Sequence, residues 1–122
     1  MDNTAYNSAY SLAINSMAYV DQWMRNRGKQ DSSIDKKNAR LLLKLTQKLG
    51  WPTVSKVGHK SSHNAWLIAQ HSELVLMEHF YSMMINHHSD IDPENIIFLE
   101  DRILSFKYAV QIHGTQFKKN LK

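Results

Sequence analysis

The chain has 122 residues, the length of one domain that can bury roughly two-thirds of its unfolded surface. With 43% apolar and 10% aromatic residues, its composition excludes disorder as the overall state. The absence of cysteine excludes disulfides, thiolate nucleophiles and cysteine-ligated zinc or iron–sulfur sites. The formal charge of +4 is uneven, because residues 1–61 carry +6 whereas residues 62–122 carry −2 and six of the seven histidines.

Two helices are predicted in the first half of the chain. Apolar side chains recur at steps of three and four over residues 5–27, which predicts an amphipathic helix that ends at Gly28. Asp35 is the expected N-cap of a second helix that stops at Gly50. The basic residues of this second helix share a sector of about 120° opposite its leucines. These residues are Lys36, Lys37, Arg40, Lys44 and Lys48, opposite Leu41, Leu42, Leu45 and Leu49. A basic face of this kind is more often solvated than bound to phosphates, so we expect no nucleic-acid binding.

The second half predicts further helices and one strand. Residues 51–62 show no periodicity and are interpreted as a loop. Residues 63–87 contain neither glycine nor proline and are apolar almost all round, which predicts a central buried helix or pair of helices. Asp92 is the expected cap of a fourth helix, with Pro93 in its first turn. Residues 108–113 alternate as a strand does and end at a glycine.

These elements predict a mainly α protein, a compact bundle of about four helices with a short C-terminal β-hairpin or strand. The strand is expected to pair with residues near 103–106 or with a second copy of the chain as a homodimer, since a lone strand leaves its backbone groups unsatisfied. We expect a single domain over 1–122, with a first helix in 1–28 and a motif-bearing core in 34–117. Neither a signal peptide nor a membrane span is predicted, which favours a soluble, cytoplasmic protein.

His71 is the first candidate for chemistry. If residues 63–87 form one helix, His71 shares a narrow polar stripe with Glu78 and Ser82. A histidine held by a carboxylate can act as a general base near neutral pH. The alternative is that the stripe simply faces water.

Asp101 and Arg102 form the second candidate, because they stand among mostly apolar neighbours. Charges in that setting are either paired or functional. The pair is therefore either structural, with Arg102 closing on Asp21 or Glu78, or a site where the Arg102 fork binds phosphate or carboxylate.

A third candidate follows at the C-terminal end, in Gln111, His113, Gly114, Thr115 and Gln116. Two amides, an imidazole and a hydroxyl suit hydrogen-bond recognition of a polar ligand. The same residues can equally finish a hairpin.

We expect no metal and no cofactor. His59 and His63 have a four-residue spacing, but Lys60 stands where the zinc-protease pattern needs a glutamate. His87, His88, Asp90 and Asp92 form a loop cluster that we interpret as structural or adventitious.

Several motifs together resemble a known bacterial family, domain of unknown function 6624. They occur in that family's order and rough spacing over residues 20–117. The motifs are Gly50-Trp51-Pro52-Thr53, Gly58, Gln70-His71, Leu99-Glu100-Asp101-Arg102, Gln111 and Gly114-Thr115-Gln116, preceded by Asp21-Gln22, Arg25, Asp35 and Asn38. The chain departs from the pattern at Glu73, Met77 and His113, where aspartate, glutamine and tyrosine are usual.

The resemblance implies a polar site without naming its reaction. The residues expected in it are Asp21, Gln22, Arg25, Gln70, His71, Asp101, Arg102, Gln111 and Gln116, and Thr115 joins them from the hydrogen-bonding set above.

We therefore expect a hydrolytic or group-transfer reaction on a small polar or phosphate-bearing ligand. His71 would be the acid–base group, Asp101 its partner, and Arg25 or Arg102 the anion-holding group. The alternative is a non-catalytic binding or inhibitory module, such as an immunity-like or anti-defence protein, that acts on a protein partner through its basic helix face or its His-rich face.

Overall fold

The fold is mainly α-helical. A computed structural model describes residues 4–29, 31–108 and 113–116, and within those ranges it contains five α-helices. They are α1 (Thr4–Asn26), α2 (Ser32–Leu49), α3 (Val54–Gln70), α4 (Leu74–Ile85) and α5 (Pro93–Tyr108), with a 3₁₀ turn at His88–Asp90.

Helix α1 packs chiefly against α3. Its buried face begins with Tyr10, Ile14 and Met17, which follow the spacing that the sequence predicts. Asp21 continues the same face one turn further along and is only 2% exposed. The periodicity of α1 therefore carries a carboxylate into the interior beside the end of α3.

Helix α2 begins earlier than expected, and its cap is not Asp35. The N-cap is Asp31, whose side chain accepts a hydrogen bond from the backbone N–H of Ser33 at 2.9 Å. Asp35 lies in the first turn instead. The helix ends at Gly50 as predicted, where φ is +79° and the N–H donates to the carbonyl of Thr46.

The basic face of α2 is exposed along its whole length, as expected for a solvated surface. The leucine face is narrower than predicted, because Leu41 is 43% exposed whereas Leu42 is fully buried. The five exposed bases are Lys36, Lys37, Arg40, Lys44 and Lys48.

The loop predicted at 51–62 is wrong from residue 54 onward, where α3 begins. Gly58 interrupts the helix with φ 89° and ψ 165°, so a kink separates its first turn from the rest. Beyond the kink, Ser61 is buried and donates to the amide oxygen of Asn15 on α1 at 3.1 Å. Contacts with α1 thus stabilise a segment whose glycine and serines are poor helix formers.

The apolar stretch 63–87 is a pair of helices, one of the two predicted arrangements. α3 ends at Gln70, the backbone turns at His71 and Ser72, and α4 starts at Leu74. The predicted stripe of His71 with Glu78 is therefore wrong, since His71 lies in the turn between the helices and Glu78 lies on α4. Glu78 Oε2 instead accepts from Lys107 Nζ at 2.8 Å.

The start of α5 is confirmed, and the C-terminal hairpin is not supported. Asp92 accepts from the N–H of Glu94 at 3.0 Å, and Pro93 is the first helical residue. Residues 103–106, the expected partner strand, belong to α5, and the part of the chain that the structure describes contains no strand. The predicted strand itself falls mostly on residues 109–112, outside the described ranges.

One buried cluster takes side chains from all five helices. Trp51, just after the Gly50 cap of α2, belongs to this cluster, and its ring centroid lies 6.0 Å from that of Phe80. Among the described helices, none is both long and apolar enough to span a bilayer.

Candidate functional site

The buried carboxylate of Asp21 is the centre of a polar cluster near the end of α1. Arg25, one turn after Asp21, donates from Nε to Asp21 Oδ1 at 3.0 Å. Gln22 donates from Nε2 to Oδ2 at 2.8 Å. The carboxylate thus has a charged partner and a neutral partner, as a buried acid requires.

Arg25 also ties α1 to the first turn of α2. Its Nη2 donates to both carboxylate oxygens of Asp35, at 2.9 and 2.8 Å. Arg25 therefore lies between two carboxylates and is neutralised by them. The early start of α2 at Ser32 allows this ion pair. It places Asp35 within the first turn, on the side of the helix that contacts Arg25 of α1, rather than at the N-cap.

His71 completes the cluster from the turn after α3. Its Nδ1 lies 3.0 Å from Asp21 Oδ2, and its side chain is 14% exposed. The contact has ion-pair distance without ideal hydrogen-bond alignment. Because α3 ends at Gln70, His71 is the first residue of the turn, and its ring contacts Asp21 near the end of α1.

The pKa of Asp21 reflects a balance of opposed effects. Burial raises it, but hydrogen bonding and charge from His71, together with the hydrogen bonds of Arg25 and Gln22, outweigh burial and hold the pKa below its ordinary value. Asp21 is therefore an anion at neutral pH.

A pocket of about 300 Å³ opens beside His71, between α2 and the start of α4. Its lining is mixed in charge, since it includes the cations Lys36 and Arg40 and the anions Asp35 and Glu73. A pocket of this volume can admit a small polar ligand.

Arg102 approaches the same turn from α5. Its Nε donates to the carbonyl of Gln70 at 2.6 Å, and its Nη1 donates to Gln116 Oε1 at 3.4 Å. The predicted ion pair of Arg102 with Asp21 or Glu78 is wrong, because those carboxylates pair elsewhere.

Asp101 binds the C-terminal turn. It is fully buried, and its carboxylate accepts from the backbone N–H of His113 at 2.8 Å and from the N–H and hydroxyl of Thr115 at 3.1 and 2.9 Å. His113 also places its Nε2 2.8 Å from Glu100 Oε1. This geometry fastens residues 113–116 onto α5.

The predicted residues form two neighbouring groups joined by the Gln70–His71 turn. Asp21, Gln22, Arg25 and His71 form the first group. Arg102, Asp101, Thr115 and Gln116 form the second, and Gln70 contributes its backbone carbonyl. Gln111 lies outside the described residues.

Asp35 belongs to the cluster although sequence reasoning kept it as a helix cap. Its signal was present, since an acid in the first turn of one helix can pair with a base in the last turn of the helix before it. Distinguishing the two roles required knowing that α2 begins at Ser32.

Three potential metal-ligating atoms, from Asp21, Asp35 and His71, lie within 4.8 Å of one another. Arg25 is hydrogen-bonded to both of these carboxylates, so a cation would have to displace a guanidinium. The other candidate metal pair, His59 and His63, lies outside this cluster and consists of exposed side chains. The ring centroid of His63 lies 5.0 Å from that of Trp66.

The fold and cluster define a helical protein whose polar site is assembled from α1, α2, the α3–α4 turn and α5. The model of a family of unknown function, DUF6624, matches residues 11–120. The chain belongs to that family. No curated protein and no solved structure matches the chain.

Proposed function

We propose that the protein is an enzyme that catalyses a hydrolytic or group-transfer reaction on a small polar substrate, with His71 as its general acid–base. The observation that carries this proposal is the 3.0 Å contact between His71 Nδ1 and Asp21 Oδ2, with Asp21 buried and ionised. A buried carboxylate behind a histidine that borders a pocket is a recurring arrangement for proton transfer.

The carboxylate dictates which ring nitrogen does the chemistry. An ionised Asp21 can only accept, so it favours the tautomer with hydrogen on Nδ1 of His71. Nε2 then has the free lone pair. It takes a proton from water or from a substrate hydroxyl, and Asp21 stabilises the imidazolium that results.

The rest of the first group positions Asp21. Arg25 and Gln22 each bind one carboxylate oxygen, which limits rotation of the side chain about its own axis. These residues are positioning residues, and Asp21 itself acts on substrate only through His71.

This geometry supports a different partner for His71 than the sequence suggested. Asp21 contacts the imidazole, whereas Asp101 binds the backbone of the C-terminal turn. We therefore assign the partner role to Asp21 and give Asp101 the role of holding residues 113–116.

A non-catalytic binding or inhibitory module is the second candidate. It is favoured by the continuous exposed basic face of α2, which is suited to an acidic protein surface. Under that candidate the His71–Asp21 contact is a structural ion pair, and replacing His71 would leave binding intact.

A panel of chromogenic phosphate and carboxylic esters separates the two candidates. His71→Gln should lower turnover by about 10² or more, which is the usual worth of a positioned acid–base group. Asp21→Asn should also lower it, because the asparagine no longer fixes the tautomer. His59→Gln is the matched control, since His59 is an exposed histidine on α3, and it should be neutral.

Equal turnover in the wild type and His71→Gln would contradict the proposal. Nitrogen-15 NMR of the His71 ring provides a readout that needs no substrate. Hydrogen on Nε2 rather than Nδ1 in the neutral wild-type ring would also overturn the assignment of the base.

A further inference from the structure

The two arginines of the site differ in what satisfies them. Arg25 gives Nε to Asp21 and Nη2 to both oxygens of Asp35. With a carboxylate on each side, it has no positive charge left to offer a ligand.

Among the described residues, Arg102 is held only by neutral groups. Its partners are the carbonyl of Gln70, the side-chain oxygen of Gln116 and the ring of Phe106, whose centroid lies 5.1 Å from Cζ. In the described ranges no carboxylate forms an ion pair with it, and both N–H groups of Nη2 have no hydrogen-bond partner there.

The guanidinium is also partly withdrawn from water. Burial lowers the pKa of Arg102, and the nearby charge of Arg25 lowers it further. A cation that is fixed, half-buried and close to a second cation is stabilised by an anion more than a solvated surface arginine would be.

We infer that Arg102 is the residue that holds the anionic group of the substrate, a phosphate or carboxylate oxyanion, beside His71. Nε binds the carbonyl of Gln70, the residue before His71, which fixes Arg102 at the turn that carries the acid–base group. Gln116 steadies the fork from the turn that Asp101 fastens. This inference rests on the proposed function in taking the held anion as part of the substrate.

The test is a titration of the 122-residue chain with inorganic phosphate, followed by the arginine Nε–H and backbone amide signals in NMR spectra. Sodium acetate and sodium chloride at matched ionic strength form the other arms. Saturable shifts are expected at Arg102 Nε–H and at the amides of Gln70 and His71 with an oxyanion and not with chloride. Tighter binding of phosphate than acetate identifies a phosphate-bearing substrate, and the reverse identifies a carboxylate.

Arg102→Gln should weaken oxyanion binding by about tenfold or more, the worth of a lost charge-assisted hydrogen bond. Arg27→Gln is the matched control. Arg27 is also stacked on a ring, with its Cζ 4.2 Å from the centroid of Trp23, but it is exposed and does not line the pocket beside His71. Its replacement should leave binding unchanged.

The wild-type titration decides the matter even if Arg102→Gln does not fold. Shifts confined to the lysines of α2, or no saturable shift at Arg102, would overturn the inference. If His71→Gln binds phosphate normally but the wild type turns over no ester, the proposed function fails alone. If His71→Gln loses turnover whereas Arg102→Gln binds oxyanions like the wild type, only the anion-holding role of Arg102 is wrong.

Discussion

At the residue scale, Asp21 links the stability of the protein to its candidate chemistry. It is 2% exposed, yet three side chains converge on its oxygens, two from its own helix α1 and one from the turn after α3. Removing its charge leaves Arg25 with Asp35 alone and His71 without a carboxylate. Neither consequence is visible in the sequence, where Asp21 is one polar position on an amphipathic helix.

Asp21→Asn is expected to lower the free energy of unfolding by about 2 kcal/mol at pH 7, since it removes hydrogen bonds to a charged group. The folded-state pKa of Asp21 lies below its ordinary value, so this stabilisation is present above the unfolded-state pKa and is lost as pH falls through the folded value. Urea unfolding of both proteins from pH 7 to pH 2 measures the difference.

Glu73→Gln is the control for that series, because it removes an exposed carboxylate from the pocket beside His71. It should change stability by no more than about 0.5 kcal/mol. A gap between the wild type and Asp21→Asn that stays constant down to pH 2 would show that the Asp21 carboxylate is not the source of stabilisation.

At the element scale, the helix ends marked by glycine and proline were predictable, and those set by packing were not. Gly28, Gly50 and Pro93 mark their boundaries by backbone geometry alone. The start of α3 at Val54 depends on contacts with α1, which no local pattern encodes.

The candidate site likewise contains residues that could be predicted from the sequence and one role that could not. The family resemblance placed His71 and Arg102 in a polar site, and the structure brings them to one turn. The role of Asp101 could not be predicted, because the backbone N–H groups and the Thr115 hydroxyl that donate to it meet it only after the chain folds back. A carboxylate with charged neighbours in sequence suggests an ion pair, whereas a carboxylate that fastens a turn leaves no such pattern.

Asp101→Asn is expected to release the C-terminal turn from α5. An amide group cannot accept from all the donors of His113 and Thr115, so one donor is left opposite an NH₂. Hydrogen exchange at those two backbone amides should accelerate by about tenfold or more, whereas the amide of Leu99 in α5 should keep its protection.

Glu100→Gln tests whether any change near that turn has the same effect. Glu100 contacts the partly exposed ring of His113 and the side chain of Tyr81, and neither is a donor to Asp101. A partly exposed pair of this type is worth about 0–1 kcal/mol. Exchange at Thr115 should therefore change little. Equal acceleration in both variants would remove the anchoring role of Asp101.

Gly58→Ala tests the kink of α3. At φ 89° an alanine is strained, although nothing lies within 4 Å of the added Cβ. The expected cost is about 1–2 kcal/mol in the free energy of unfolding, measured by urea denaturation. His59→Ala, at the next and exposed position, should be close to neutral. No loss in Gly58→Ala would mean that the helix can run straight through residue 58.

At the scale of the whole molecule, the excess positive charge of the first half is divided between two surfaces. Arg25 is ion-paired with Asp21 and Asp35, whereas the bases of α2 face solvent. The net charge of +4 therefore describes neither surface well. Among the described residues, α2 carries five exposed bases along one face, whereas Arg102 is half-buried.

A triple charge reversal on α2 tests that division. Lys37, Lys44 and Lys48 are exposed and do not line the His71 pocket, so replacing all three by glutamate should shift the free energy of unfolding by no more than about 1.5 kcal/mol. It should also leave His71-dependent turnover and oxyanion binding at Arg102 intact, because the Debye length at physiological salt is only about 8 Å. If the triple variant loses turnover, the two surfaces are coupled. If it keeps turnover but loses retention on poly-L-glutamate at low salt, the basic face is an independent surface for acidic partners, and catalysis belongs to the cluster of Asp21 and His71.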